Sequence, residues 1–157
     1  MSDAADQHRR IAGAFTSTVE ETAPESWDQP APVEGWVARD VVRHLVEWRT
    51  QTDAVQALLD DADTAEREHD LPHIGRMSLE QATDMIYTSD VFMHRWDLAR
   101  ATGQDETLDP DKCAVMLEVM LPMDEVLRQS GQYGTRVHVP DDADAQTKLL
   151  AFIGGNP

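Results

Sequence analysis

Three side chains able to bind a divalent metal occur where helices would bring them together. His44 lies three residues after Val41 and four before Trp48, so helical spacing places it on the inward side of its helix. Asp90 and His94 are four residues apart, which puts them one turn apart on one face of another helix. Zinc accepts two imidazoles and a carboxylate and leaves a fourth position for water. The pattern predicts a candidate metal site.

The spacing by itself leaves a second interpretation open. An aspartate and a histidine one turn apart also occur as a surface ion pair or a helix-internal hydrogen bond, and an inward histidine can be a hydrogen-bonded core residue. Asp97 extends the polar stripe of Asp90 and His94 by three residues. Burying such a stripe without partners costs free energy, and metal coordination would offset that cost.

Two long amphipathic helices would position these side chains. Apolar residues recur at intervals of three and four from Val37 to about Ala62, which predicts one helix over this range. Ser78 followed by Gln81 has the spacing of a capping box, and Gly103 suits the left-handed conformation that closes many helices. The sequence therefore predicts a helix from Ser78 to Gly103 that carries Asp90 and its neighbours.

The other elements complete an all-α fold. Caps, prolines and glycines delimit them, and they are a helix over 6–22, a loop over 26–35, a helix from residue 110 and a last helix over 144–153. Pro122 is expected to kink or divide the helix that contains it, and residues 136–139 to form a short extended piece. These elements predict a single domain over 1–157, a four-helix bundle with a short additional C-terminal helix.

Composition and charge limit the classes of function. Of 157 residues, 30 are acidic and 13 are basic, for a formal net charge of −17. A surface of this sign repels phosphate backbones and anionic lipid, so a small-molecule substrate is expected, without nucleic acid or membrane as partner. The single cysteine, Cys113, excludes an intramolecular disulfide, and the first residues lack the basic and apolar regions of a signal peptide. A cytoplasmic protein is expected.

Three segments carry a resemblance to a known family. The sequence SWDQPAPVEGWVARDVVRHL at 26–45 resembles the first signature of the DinB-like superfamily, in its mycothiol-dependent maleylpyruvate isomerase N-terminal branch. The sequence MHRWDLARATG at 93–103 is similar to the second signature. The sequence ADAQTKLLAFIGGNP at 143–157 resembles the closing motif of an actinobacterial subfamily of that branch. The resemblance therefore covers essentially the whole chain and implies a DinB-like helical bundle.

The resemblance also implies the metal ligands. In that family a histidine on the second helix joins an acid and a histidine one turn apart on the third helix, and these roles fall on His44, Asp90 and His94. The metal implied is zinc, with nickel or manganese as alternatives. The family usually has glutamate at the position of Asp90, so the carboxylate of this chain is one methylene shorter.

The implied activity is metal-dependent thiol chemistry. A thiol transferase would join a low-molecular-weight thiol, with mycothiol as co-substrate, to a small electrophile. Hydrolysis by metal-activated water is the neighbouring alternative. A non-catalytic binding or dimerisation module with a degenerate site, and a purely structural metal, are further alternatives. Members of the family often pair through their helices, which makes a homodimer one expected state. No residue beyond the metal ligands is assigned a catalytic role.

Four further side chains are candidates for contacts around the site or with substrate, namely Asp97, Arg100, Trp36 and Trp48. Asp97 could orient the region of His94 or a water near the metal, or it could form a buried structural hydrogen bond to the loop. Arg100 could bind Asp97 or a substrate carboxylate, although an ordinary ion pair is the favoured interpretation. The two tryptophans could form the wall of a pocket or pack in the core.

The remaining histidines and the cysteine are weaker candidates. Cys113 lies in an acidic predicted helix, so its thiol is a poor nucleophile candidate. His69 and His73 are expected to be exposed loop residues.

Overall fold

The computed structural model describes residues 3–45, 48–71 and 75–157, and the backbone alone for residues 48–50. The described part of the chain is 65% helix and 7% strand, so the predicted all-α fold class is confirmed. It forms two compact units, the first ending at Glu106 and the second spanning Thr107–Pro157. The single domain over 1–157 stays a prediction.

The first unit contains most of the helices and a hairpin. Its elements in chain order are α1 (Asp3–Glu21), α2 (Ala38–His44), α3 (Trp48–Asp60), α4 (Ala62–Ala65), β1 (Glu68–Leu71), β2 (Gly75–Ser78), α5 (Leu79–Thr83) and α6 (Ser89–Thr102). A 3-10 turn at Pro24–Ser26 begins the loop that follows α1. A π-helical turn at Asp84–Thr88 joins α5 to α6.

The helix predicted over 37–62 is divided, which is a difference from the sequence-based expectation. α2 ends at His44, because Leu45 leaves the helical region with φ −78° and ψ 20°. α3 ends at Asp60, because Asp61 takes an extended conformation and caps α4 by accepting a hydrogen bond from the backbone N–H of Thr64. Residues 46 and 47 lie outside the described part of the chain.

The predicted helix from Ser78 to Gly103 is confirmed at both ends. Ser78 Oγ accepts from the N–H of Gln81 at 3.2 Å, and Gln81 Oε1 accepts from the N–H of Ser78 at 3.1 Å, which is the capping box. Gly103 closes α6 with φ 71°. The sequence did not predict the π turn in its middle.

The core of the first unit holds α2 against α6. α1 and α2 both pack on α6, and the buried side chains that they share are Ala12, Phe15, Ala38, Val41, Leu45, Val91 and Leu98. Removing these apolar groups from water drives the association. Val41 precedes His44 by three residues and Val91 follows Asp90 directly. The packing that buries the two valines therefore brings the polar side chains beside them together.

The hairpin corrects the expectation that residues around His69 form a loop. β1 and β2 pair antiparallel, with register from Glu68 opposite Ser78 to Leu71 opposite Gly75. The four residues of each strand lack the alternation of apolar and polar positions that marks a half-buried strand, so the sequence carried no strand signal. His69 is exposed, as expected. His73 lies outside the described residues.

The second unit contains α7 (Pro110–Met120), α8 (Asp124–Gln129) and α9 (Ala145–Ile153). A 3-10 turn at Leu121–Met123 separates α7 from α8 and contains Pro122, so the predicted division of this helix is confirmed. α7 packs on α9, the predicted last helix. Residues 136–139 form no strand within the described chain, although the N–H of Val137 donates to Ala151 O at 2.9 Å.

Membrane insertion has no support from the helices. Within the described ranges, none of them combines the length and the apolar character that a bilayer span requires.

We expect Gly154→Ala to destabilise the second unit more than Gly131→Ala does. Both glycines have positive φ, 97° and 72°, which costs about 1 to 2 kcal/mol for alanine. A Cβ at Gly154 would also lie 2.5 Å from Gly134 Cα, whereas a Cβ at Gly131 meets nothing within 4 Å. Moving that backbone should add roughly 1–3 kcal/mol. Urea unfolding of both variants measures the difference, and equal losses would contradict the close contact.

Candidate metal centre

His44, Asp90 and His94 meet at the contact between α2 and α6. His44 is the last residue of α2, and the other two lie one turn apart near the start of α6. One ligand atom from each residue can be chosen so that all three lie within 4.8 Å of one another. The structure therefore brings together the three residues that the sequence singled out.

The separations of these atoms suit a small divalent ion. His44 Nε2 lies 3.7 Å from Asp90 Oδ2, and His94 Nε2 lies 3.5 Å from Asp90 Oδ1. Ligand atoms bound tetrahedrally at zinc distances are about 3.3–3.5 Å apart. Each imidazole nitrogen thus lies close to this separation from one oxygen of the carboxylate, and one ligand atom from each residue can be chosen within 4.8 Å of the others. The residues present fit a zinc-type ion.

Asp97 fixes the orientation of His94. Its Oδ2 lies 2.8 Å from His94 Nδ1, and both side chains are largely buried. When Nδ1 donates its proton to this carboxylate, the lone pair of the neutral ring is on Nε2, the atom that faces Asp90. This contact matches the predicted role in which Asp97 orients His94.

The proton affinity of His94 reflects opposing influences. Burial lowers its pKa, but the hydrogen bond that His94 donates to Asp97 and the charges of Asp90 and Asp97 together outweigh burial, so the pKa of His94 is raised. A raised pKa means that protons compete with a metal ion for Nε2 at mildly acidic pH.

Trp36 packs against both imidazoles. Its ring centroid lies 5.1 Å from that of His44 and 6.0 Å from that of His94, and it is nearly parallel to the His94 ring, at 16°. The loop that carries Trp36 is held by backbone hydrogen bonds, from its N–H to Val33 O and from the N–H of Ala31 to its carbonyl. Trp36 therefore covers one side of both imidazoles, and its role as the wall of a pocket stays a prediction.

Among the described residues, two of the three clustered side chains are partly exposed to solvent. The side chains of His44 and Asp90 are 46% and 37% exposed, whereas that of His94 is 14% exposed. A small molecule could therefore reach the ligand atoms from the side of His44.

Arg100 does not join the site through its described contacts. Its Nη1 donates to Glu106 Oε2 at 3.1 Å, and its guanidinium lies over the Trp96 ring at 5.0 Å. The ordinary ion pair favoured from the sequence is the contact found. The side chain of Trp48, the other predicted wall of the site, lies outside the described residues.

Cys113 and His8 are buried titratable residues outside the site. Cys113 is fully buried, and burial with the charges of Asp109 and Asp144 raises its pKa to about 11, so it is a poor nucleophile as predicted. His8 is also fully buried, and the sequence analysis did not single it out. Its spacing to Ala12 and Phe15, four and seven residues later, is the pattern that would have placed it on the inward face of α1.

Asp97→Asn is expected to weaken zinc binding by about 10- to 100-fold, because the amide is a weaker acceptor and leaves His94 Nδ1 less firmly held. A competition titration with a chromophoric chelator measures the dissociation constant. Asp63→Asn, which removes one exposed charge on α4, is the control and should bind as the unmodified protein does. Equal weakening by both variants would mean that net charge is responsible.

Comparison with known proteins supports the resemblance found in the sequence. The family model described as mycothiol maleylpyruvate isomerase N-terminal domain matches residues 8–84, a segment that includes His44 and ends before Asp90. Two curated relatives are uncharacterized proteins of Mycobacterium tuberculosis, from strains CDC 1551 / Oshkosh and H37Rv. Each is 25% identical to this chain over 172 residues, with 94% of both sequences covered. No solved structure matches the chain significantly.

Proposed function

Since residues 8–84 belong to the mycothiol maleylpyruvate isomerase N-terminal domain family, we propose that the protein is a metal-dependent thiol transferase. It binds a divalent ion, zinc in preference to nickel or manganese, through His44, Asp90 and His94. It then joins a low-molecular-weight thiol of the mycothiol type to a small electrophile. The observation that carries the proposal is the cluster of three ligand atoms within 4.8 Å.

The chain's own residues would bind the ion and orient the His94 imidazole. His44 Nε2, His94 Nε2 and one oxygen of Asp90 provide two neutral donors and one negative charge, which leaves a bound dication with a net positive charge. When bound, such an ion lowers the pKa of a coordinated thiol and so makes the thiolate available at neutral pH. Asp97 keeps the remaining ring proton of His94 on Nδ1, away from the ligand side.

The surroundings favour a small substrate that enters from solvent. Trp36 covers one side of both imidazoles and excludes water there. The exposed edges of His44 and Asp90 leave the other side accessible. A chain with net charge −17 disfavours strongly anionic electrophiles, so a neutral or weakly charged electrophile fits better.

A fluorescence assay tests the activity. Zinc-loaded protein is mixed with mycothiol and monochlorobimane; the thiol sulfur forms a bond to carbon, chloride leaves and the thiol proton passes to buffer. We expect the rate above the uncatalysed background to require the thiol, the protein and zinc, and to be lost in His94→Ala. His69→Ala, at an exposed histidine of β1, is the matched control and should retain the rate.

The same preparation separates the alternatives. Turnover of a nitrophenyl ester that needs zinc and no thiol, and that is lost in His94→Ala, would replace the transferase with a hydrolase. Tight zinc binding with neither activity would leave a binding module or a structural metal. Protein that binds no zinc, nickel or manganese would overturn the proposal at its first step.

A further inference from the structure

The π turn at Asp84–Thr88 determines the direction in which the α6 ligands point. The N–H of Ser89 bonds to Asp84 O, five residues back, and Ser89 Oγ donates to the same carbonyl at 2.8 Å. A π turn contains one residue more than an α turn, so the helix after it is rotated by about 100° relative to an uninterrupted α-helix. Asp90 follows the turn directly, and its direction therefore depends on it.

α1 holds both ends of this turn through two adjacent residues. Gln7 Nε2 donates to Asp84 Oδ1, at the first residue of the turn. His8 Nδ1 lies 3.0 Å from Thr88 Oγ1, at the last residue. The His8 ring also lies against the Tyr87 ring, with centroids 5.7 Å apart. A change from π to α geometry would rotate Thr88 relative to Asp84, and at least one hydrogen bond would be lost.

The contact between His8 and Thr88 lies in the interior. His8 and Thr88 are both fully buried, so each would lose its hydrogen-bond partner without access to water if the pair separated. π turns are rare because their hydrogen bonding is less favourable than that of an α-helix, so they need tertiary support. Burial lowers the pKa of His8. A hydrogen bond with the backbone of Thr52 and the charge of Asp84 raise the pKa, but by less, so the net shift is downward and favours the neutral ring.

We propose that Gln7 and His8 are positioning residues for the metal centre, which hold the π turn at both ends and thereby direct Asp90 and His94 toward His44. The inference rests on the proposed metal binding. It assigns a role in that site to residues of α1 that lie 77 and 80 positions away in sequence from their partners in the turn.

Matched variants of Thr88 and Gln7 test the inference. Thr88→Val keeps the branched shape and removes the hydroxyl that bonds His8, whereas Thr88→Ser keeps the hydroxyl. Gln7→Ala removes the other contact at a partly exposed position, so it provides a second test if Thr88→Val does not fold. Circular dichroism and thermal unfolding select the folded variants.

Cobalt(II) binding is the first readout, because its visible absorption reports coordination geometry as well as affinity. We expect Thr88→Val and Gln7→Ala to weaken cobalt binding about tenfold or more and to change the absorption bands, and Thr88→Ser to match the unmodified protein. Folded variants with unchanged affinity and unchanged bands would overturn the inference. A loss of stability alone would not alter the bands of the bound ion.

The metal-free protein provides a second readout that separates this inference from the proposed function. NMR shifts of the His44 and His94 ring protons should move in Thr88→Val and Gln7→Ala and stay in place in Thr88→Ser. If the unmodified protein binds no metal, the proposed function fails and these shifts still decide the positioning role. Unchanged ring shifts in both disrupting variants would refute it.

Discussion

His44→Ala is expected to abolish stoichiometric metal binding. The unmodified protein, purified without a tag, should contain about one divalent ion per chain. Removing one of three protein ligands leaves only Asp90 and His94. Loss of a residue that hydrogen-bonds to a ligand costs roughly 10- to 100-fold in metal affinity, and loss of a ligand itself should cost well over that. Mass spectrometry of the elements in dialysed protein measures the bound ion directly.

Two variants serve as controls for this result. His69→Ala removes an exposed histidine of β1, which is not among the three clustered residues, and should retain the metal. Asp90→Glu introduces the longer carboxylate that the sequence resemblance implies at this position, and it should also retain the metal. Unmodified protein that is empty, with metal found only in Asp90→Glu, would contradict the proposal and indicate that this chain has exchanged metal chemistry for binding or structure.

Zinc affinity is expected to fall steeply with acid. An imidazole binds the ion only after it has lost the proton from the coordinating nitrogen, so each ion displaces a proton from His94 below its pKa. This pKa is raised above its ordinary value of 6.5, because Asp97 and Asp90 outweigh burial. The apparent dissociation constant should be nearly constant well above the raised pKa and increase at least about tenfold for each pH unit below it.

Calorimetric titration with zinc in two buffers of different ionisation enthalpy measures the displaced protons and the affinity together. Asp97→Asn is the informative control, because it removes the hydrogen bond and a charge that raise the pKa of His94. The break in its profile should therefore lie at lower pH than in the unmodified protein. A dissociation constant that does not vary with pH would exclude His94 as a ligand.

The convergence of His44, Asp90 and His94 could be predicted from the sequence for two reasons. His44 shares a helical face with Val41, and Asp90 and His94 share a face of another helix, so burying the apolar neighbours brings the polar groups together. The ends of these helices were also predictable where local chemistry determines them. Ser78 and Gly103 act through contacts within a few residues of themselves.

Other features had no local signal. The apolar pattern from Val37 continues beyond Leu45, so periodicity did not show that α2 ends at His44. A π turn has no sequence pattern distinct from an α-helix, and the one at Asp84–Thr88 is supported by α1, a remote part of the chain. The partner of Arg100 lies beyond the end of α6, in a loop whose course helical spacing does not describe.

The three proposed ligands differ in how firmly the backbone holds them. Asp90 and His94 are one turn apart in a continuous helix, whereas His44 is the last residue of the short helix α2. Helix ends open at lower free energy than helix interiors. Ion exchange should therefore proceed in two stages, with capture by the α6 pair followed by closure through His44. The residence time of the ion would then depend on how often the end of α2 opens.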